Sequence, residues 1–187
     1  MKVLVGTGRG DLLHSLAALG YDAHGCDVKP YWKERITTSA DKFAVISLVP
    51  YRLPYEDETF DVVISTSVLE HAQNKEELFV EIRRVLKTGG FAMHLFPAKW
   101  YLPSEPHANA EYCAGGLSYW SNRAYRDLSL KIFGNFFAPM DFYVKNSDGG
   151  MAKLVRKMPF QRVGAWLAGQ IRMNFIVVQK TQQASQS

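Results

Sequence analysis

The fold of this chain is decided by its first residues, Lys2-Val3-Leu4-Val5-Gly6-Thr7-Gly8-Arg9-Gly10. A short apolar run leads into three alternating glycines, and leucines at near-helical spacing follow until Gly20. This pattern predicts a β-strand, a tight loop and a helix that ends at Gly20. Glycines allow a loop to approach a ligand closely and to adopt positive φ. The stretch therefore predicts a ligand-binding turn, although a purely structural turn can carry the same glycines.

Strand and helix patterns alternate through the first half of the sequence. Asn74 and Glu77 form a pair like a capping box at the start of an amphipathic helix, which Thr88-Gly89-Gly90 is expected to end. Alternating strands and helices are typical of a doubly wound α/β protein with a mostly parallel sheet. Four β-rich runs predict the strands that follow the first: Tyr21–Asp27, Phe43–Val49, Phe60–Ser65 and Phe91–Phe96.

The composition excludes several classes of protein. The chain has 187 residues, of which 47% are apolar and 21% charged, so it is not a disordered chain. No apolar run is long enough for a transmembrane helix, and the apolar start is too short for a signal peptide. Cys26 and Cys113 have neither metal-like spacing nor a disulfide framework, and the histidines are scattered. We therefore expect no metal site and a cytoplasmic location.

Asp27 follows Gly10 by 17 residues and lies at the end of the second predicted strand. Ligands in open parallel sheets bind beyond the carboxyl ends of the strands, so this carboxylate is placed to accept hydrogen bonds from two ribose hydroxyls. The dinucleotide pattern G-x-G-x-x-G requires a third glycine where this chain has Asp11, and an acid there would repel a pyrophosphate. The loop therefore favours a ligand with a ribose and no phosphates over a nicotinamide dinucleotide.

Three later segments are similar, in order, to sequence blocks of one enzyme family. Leu53–Val63 (LPYEDETFDVV) is followed by Ser67–His71 (SVLEH) and Glu81–Gly90 (EIRRVLKTGG). Together with the glycine loop they resemble the class I S-adenosylmethionine-dependent methyltransferases, in the group with a type 11 methyltransferase domain. The resemblance covers about residues 1–97. It implies a Rossmann-like, mostly parallel seven-stranded sheet with an antiparallel last strand, and S-adenosylmethionine as the cofactor.

The resemblance also implies which residues bind the cofactor. S-adenosylmethionine would lie across the glycine loop with its ribose on Asp27. Val49 matches the position at which many members bind the adenine amine, and Ser65 belongs to the loop after the fourth strand. The implied cofactor-binding residues are Gly6, Thr7, Gly8, Gly10, Asp27, Val28, Val49 and Ser65.

Three features depart from the family pattern. Leu4 replaces an acidic residue, Pro50 has no backbone N–H to offer the adenine, and the sequence begins at the first strand rather than with a covering helix. These departures keep open an alternative function, that of a catalytically silent methyltransferase-like binding or partner protein. Without a covering helix, Trp32 or a second subunit would have to exclude water from the cofactor, so a homodimer is one expected arrangement.

The two halves of the chain differ in charge. Residues 1–97 carry 11 basic and 13 acidic side chains (−2), whereas residues 98–187 carry 11 basic and 5 acidic ones (+6). We expect the first half to bind the cofactor, and the second to add the substrate-side region and the final strands of the same domain. Glu105-Pro106-His107 resembles an element of some bacterial members. His107 is the candidate catalytic base and Glu105 the residue that orients it, while a rigid structural loop is the alternative.

The expected function is S-adenosylmethionine-dependent methylation of a small molecule, a sugar or a lipid-linked intermediate. Ser65-Thr66-Ser67 lacks the Asn/Asp-Pro-Pro-Tyr pattern of exocyclic-amine methylases, and we expect no specific nucleic-acid partner. Met151–Met158 is a short, basic amphipathic stretch that could contact an anionic membrane or else cover the sheet. Ser121–Ile132 predicts a helix, and Arg172–Lys180 predicts the last strand.

Overall fold

The computed structural model describes residues 1–6, 10–30, 42–48, 50–97, 118, 120–138, 150–161, 163–164 and 173–182. Within them the helices are α1 (Asp11–Ala18), α2 (Lys75–Val85), α3 (Asn122–Phe133) and α4 (Gly150–Arg156). The strands are β1 (Lys2–Gly6), β2 (Asp22–Asp27), β3 (Phe43–Val45), β4 (Ser47–Leu48), β5 (Tyr51–Arg52), β6 (Phe60–Thr66), β7 (Leu86–Pro97) and β8 (Met173–Gln179). In this part of the chain no helix is both long and apolar enough to span a bilayer.

Six of the strands form one sheet, in the order β3-β2-β1-β6-β7-β8. Neighbouring strands are parallel except β7 and β8, which are antiparallel. The predicted α/β fold with a mostly parallel sheet and an antiparallel last strand is therefore confirmed. Within the described residues this main sheet has six strands rather than the predicted seven. Phe137 bridges Val177 at the outer edge of β8, where a further strand would pair.

The helices cover the two faces of the sheet. Leu16 of α1 packs against the buried Val3 and Val62 on one face. The larger core lies on the other face, where α2 and α3 bring Phe79 and Tyr125 against β7. Because side chains alternate along a strand, a single buried strand such as β6 serves both layers.

The predicted cap at Asn74 is confirmed, and the structure shows a second side-chain cap at Ser121. Asn74 Oδ1 accepts a hydrogen bond from Glu77 N at 3.2 Å, which begins α2 as the capping pattern indicates. Ser121 Oγ likewise accepts from Ala124 N at 3.2 Å and begins α3. The first helix ends just ahead of Gly20, whose φ is +84°.

Two predicted boundaries are wrong. Phe43–Val49 is not one strand, because β3 ends at Val45 and β4 pairs antiparallel with β5 across a turn that contains Pro50. Proline favours turns and cannot donate to a strand ladder. The amphipathic helix ends at Val85 rather than at Thr88-Gly89-Gly90. Leu86 is already extended and pairs with Phe60, so sheet pairing outweighs the remaining helix pattern.

Arg84 of α2 joins two of the segments that carry the family resemblance. Its guanidinium donates to both carboxylate oxygens of Glu81, at 2.9 and 2.8 Å, and to the carbonyls of Leu53 and Tyr55, at 2.9 and 2.8 Å. Glu81 also accepts from Leu53 N at 2.9 Å. We call this pair the Arg84–Glu81 clamp, because it fixes the Leu53–Asp57 loop against α2.

Candidate functional site

Three parallel strands end together at the carboxyl edge of the sheet. Gly6 pairs in register with Cys26, so Asp27 extends just beyond it, and Val5 pairs with Ile64, which places Ser65 beside Gly6. The order of the strands reverses between β1 and β6. Ligands in open α/β sheets bind in the crevice at such a reversal. The edge is therefore the candidate site.

The structure brings five of the predicted cofactor-binding residues to this edge or directly beside it. They are Gly6, Gly10, Asp27, Val28 and Ser65. Thr7, Gly8 and Val49 lie outside the described residues, as do the candidate catalytic residues Glu105 and His107 and the candidate covering residue Trp32.

The glycines of the loop have identifiable local functions. A Cβ on Gly6 would lie 2.7 Å from Cγ2 of Val68, so glycine lets the loop after β6 pack against the end of β1. Gly10 has a φ of +89° and begins α1 with no side-chain cap. The backbone N–H groups of the first turn of a helix have no partner within the helix. The start of α1 is thus suited to an anionic or polar ligand group at the same edge.

Asp27 is half-buried at the tip of β2, and its carboxylate is held in place. Its Oδ1 accepts from Val28 N at 2.7 Å, and its backbone carbonyl accepts from Ile46 N at 3.0 Å. Each carboxylate oxygen can accept more than one hydrogen bond, so the first contact orients the group without using its full capacity. Burial, reinforced by the Asp27 charge, raises the pKa of the adjacent Cys26 thiol to about 12, so the thiol stays protonated near pH 7.

Ser65 lies beneath the edge rather than in an open loop. Its Oγ is 2.7 Å from Nδ1 of His94, and both side chains are buried. Burial lowers the pKa of His94 to about 4, so the imidazole is neutral near pH 7. It stacks on Phe79 with ring centroids 5.4 Å apart, and among the described residues its Nε2 has no hydrogen-bond partner. His94 was not predicted from the sequence, although its alternation with Ala92 and Phe96 is the signal of an inward-facing strand position.

A second buried polar group lies where the loop after β6 meets α2. Lys75 is buried at the start of α2, its Nζ donates to the Ala72 carbonyl at 2.9 Å, and it lies 5.2 Å from the ring centroid of Trp120. Burial lowers the pKa of Lys75 to about 8, while the nearby Glu70 carboxylate opposes that shift. Trp120 packs against the core. A lysine at a helix start gives no sequence signal of burial, so this group could not be predicted.

No metal site is found in the part of the chain that the structure describes, where no group of three or more His, Cys, Asp or Glu side chains could hold an ion. The polar groups of the edge are instead those that bind organic ligands: a carboxylate, backbone N–H groups and small loop residues.

Comparison with known proteins agrees with this geometry. The family described as "Methyltransferase domain" matches residues 3–94, which contain every described candidate residue of the edge. The match covers just under half of the chain, so residues 3–94 are similar to this methyltransferase family. Its cofactor is S-adenosylmethionine. The class I methyltransferase resemblance of the sequence is therefore confirmed.

Solved methyltransferases share the fold over nearly the whole chain. An S-adenosylmethionine-dependent methyltransferase from Mesorhizobium loti matches with a TM-score of 0.66 at 13% identity, covering 95% of this chain and 89% of that one. Phosphoethanolamine N-methyltransferase 2 of Haemonchus contortus, in complex with phosphomonomethylethanolamine and S-adenosylhomocysteine, matches with a TM-score of 0.64 at 17% identity. That match covers 97% of this chain and 48% of the Haemonchus enzyme.

The curated relatives are longer proteins. Sterol 4-C-methyltransferase strm-1 of Caenorhabditis elegans is 28% identical over 92 residues, which cover 46% of this chain and 28% of the relative. The chain spans between 5% and 28% of the length of the curated relatives that it matches.

Proposed function

We propose that this chain binds S-adenosylmethionine at the carboxyl edge of β1, β2 and β6 and transfers its methyl group to a small molecule, a sugar or a lipid-linked intermediate. The observation that carries the proposal is the placement of Asp27. Its oriented carboxylate ends β2 directly beside the glycine that ends β1, inside the part of the chain that matches the methyltransferase family.

The described residues fit two parts of the cofactor. The Asp27 carboxylate suits the ribose diol, because an ionised carboxylate forms strong hydrogen bonds with hydroxyl donors. The start of α1 at Gly10 has no side-chain cap, so its backbone N–H groups suit a polar group of the amino-acid part, while Asp11 in the first turn disfavours a polyanion such as pyrophosphate. Thr7, Gly8 and Val49 would complete the set by their positions in the sequence.

The chemistry requires the protein mainly to align its ligands. When bound, S-adenosylmethionine supplies an electrophilic methyl group on a sulfonium, whose leaving group is neutral. Holding the acceptor in line with that methyl group and excluding water therefore supply most of the catalysis. For a hydroxyl acceptor, His107 would remove the proton and Glu105 would orient the imidazole, as the sequence predicts.

The names of the relatives support an acceptor of low molecular weight. The Caenorhabditis relative is named for a sterol, and the Haemonchus structure contains phosphomonomethylethanolamine. Both names point to small molecules, which is one of the acceptor classes of the sequence-based prediction.

The alternative, a catalytically silent binding protein, is supported by Leu4. Many members have an acidic residue here, whereas this side chain is 2% exposed and packs in the core. The discriminating experiment is isothermal titration calorimetry of the full chain with S-adenosylhomocysteine. Saturable binding supports the methyltransferase, and its absence from the folded protein favours the silent alternative.

The homodimer and the cytoplasmic location that the sequence analysis expects stay predictions.

Replacing Asp27 with alanine is expected to weaken S-adenosylhomocysteine binding about 5- to 150-fold, because the ribose hydroxyls lose a charged acceptor worth about 1–3 kcal/mol. Calorimetry of both proteins measures the ratio. Asp22→Ala is the matched control, since this carboxylate lies at the other end of β2, where it pairs with Lys42 at 2.8 Å. Equal affinities of the Asp27 variant and the unmodified chain would refute the assignment of Asp27.

A further inference from the structure

The segment from Gly150 to Gly164, here called the α4 segment, folds back on itself. After α4, Met158 N donates to Val155 O at 3.1 Å, and Gly164 N donates to Phe160 O at 3.1 Å. Gly164 is buried against Val155, since a Cβ on Gly164 would lie 2.9 Å from Val155 Cγ1. The α4 segment is therefore a compact helix and turn with its own inward side.

Four large apolar side chains of this segment are nonetheless exposed. Ala152 and Val155 face inward and are buried, whereas the exposed fractions are 63% for Leu154, 44% for Met158, 76% for Phe160 and 57% for Val163. Helical spacing predicts that Leu154 and Met158 share one side of the amphipathic stretch with Val155. The prediction is wrong, because Val155 is buried and the other two are exposed. Scattered exposed apolar residues are ordinary, but a cluster within ten residues indicates an interaction surface.

The charged residues of the α4 segment are all basic. Lys153 and Lys157 are exposed on α4 and on the turn after it, next in sequence to Leu154 and Met158. From residue 149 to the end of the sequence there are six basic residues and no acidic one. Exposed apolar side chains interleaved with lysines are typical of segments that lie in the interface of an anionic bilayer. The lysine stems can cover apolar surface while their ammonium groups reach the lipid phosphates.

We propose that the α4 segment docks this protein on an anionic membrane surface. Leu154, Met158, Phe160 and Val163 enter the headgroup region, and Lys153 and Lys157 contact the lipid phosphates. The inference goes beyond the proposed methyl transfer and does not depend on it, since none of these residues belongs to the edge of the sheet that carries Asp27.

The test uses the full chain and vesicles of two compositions, phosphatidylcholine alone and phosphatidylcholine mixed with phosphatidylglycerol. In flotation assays we expect binding to the anionic vesicles, with at least about tenfold weaker binding to the neutral ones, because each lysine near an anionic surface contributes to affinity. Added salt should weaken the binding, since it screens the lysines. A protein that floats with neither vesicle, or equally with both, overturns the proposal.

Substitutions test whether this surface, rather than another part of the molecule, binds the vesicles. Leu154→Ser combined with Phe160→Ser should weaken binding to anionic vesicles at least about tenfold. The reason is that two large apolar side chains are then no longer transferred from water into the headgroup region. The matched control is Leu130→Ser on α3, an apolar residue that is 46% exposed and should leave binding unchanged. Circular dichroism and S-adenosylhomocysteine affinity should be the same in all variants.

Two outcomes of these variants would overturn the proposal. The first is equal vesicle binding by the double variant and the unmodified chain. The second is a dimer in gel filtration that the double variant abolishes, with no vesicle binding by either protein, because the patch would then be an interface between copies of this chain.

Discussion

Replacing Glu81 with alanine is expected to lower the free energy of unfolding by about 3 kcal/mol. The Glu81 side chain is 8% exposed and accepts hydrogen bonds from Arg84 and from Leu53 N. Without it the Leu53 N–H loses its acceptor, and the Arg84 guanidinium, 14% exposed, loses a charged partner. Removing one partner of a buried ion pair leaves the other charge poorly compensated. Urea unfolding monitored by circular dichroism measures the loss.

The same helix offers a matched control. Glu76 pairs with Lys131 at 2.7 Å, but both side chains are exposed. Water screens such a pair, so Glu76→Ala should lower the free energy of unfolding by less than about 1 kcal/mol. Similar losses in the two variants would show that the Arg84–Glu81 clamp contributes no more than a surface pair.

The clamp explains why two distant segments of the sequence carry the family resemblance together. Glu81 and Arg84 hold the Leu53–Asp57 loop, and Tyr55 in that loop donates from its hydroxyl to the Gly25 carbonyl at 3.1 Å. Gly25 precedes Asp27 in β2 by two residues. A set of contacts therefore runs from α2, through the loop, to the strand that presents the candidate ribose-binding carboxylate.

Much of the fold could be predicted because local signals agreed with one another. The glycine loop after β1 and the cap at Asn74 each mark a boundary by backbone chemistry, and the structure confirms both. The turn at Pro50 and the end of α2 at Val85 were mispredicted. The end of α2 is decided by the pairing of Leu86 with Phe60, a partner that a local sequence window does not contain. The turn between β4 and β5 is local, and Pro50 is its signal in the sequence.

The candidate site was predictable only in part, for a related reason. Glycine and acidic residues at strand ends are visible in the sequence, so Gly6 and Asp27 could be named. Burial of a polar side chain depends on the layer packed over it, which a single sequence does not specify. Lys75 and His94 were therefore missed, although both are buried close to the strand ends.

We expect mild acid to destabilise the fold through protonation of the buried His94. Burial lowers the pKa of its imidazole to about 4, against an ordinary value of 6.5 in the unfolded chain. Because the unfolded state binds this proton more tightly, acid favours unfolding. The contribution of neutral His94 is fully present above pH 6.5 and is lost as the pH falls to about 4. The loss amounts to about 3 kcal/mol, and urea unfolding at a series of pH values measures it.

His94→Asn removes the titration while keeping a side chain that can bond to Ser65, so the free energy of unfolding of this variant should fall much less between pH 6.5 and 4. Burial also lowers the pKa of the half-buried His24, so this residue contributes to the dependence that remains in this range. Two opposing effects act on the Glu81 carboxyl group. Burial raises its pKa, but the hydrogen bonds from Arg84 and Leu53 N outweigh burial, so the pKa is lowered. The contribution of Glu81 to the free energy of unfolding is therefore lost only in stronger acid. His14→Asn, at an exposed position of α1, is the control for replacing a histidine. If His94→Asn keeps the pH profile of the unmodified chain, His94 is not the group whose protonation destabilises the fold.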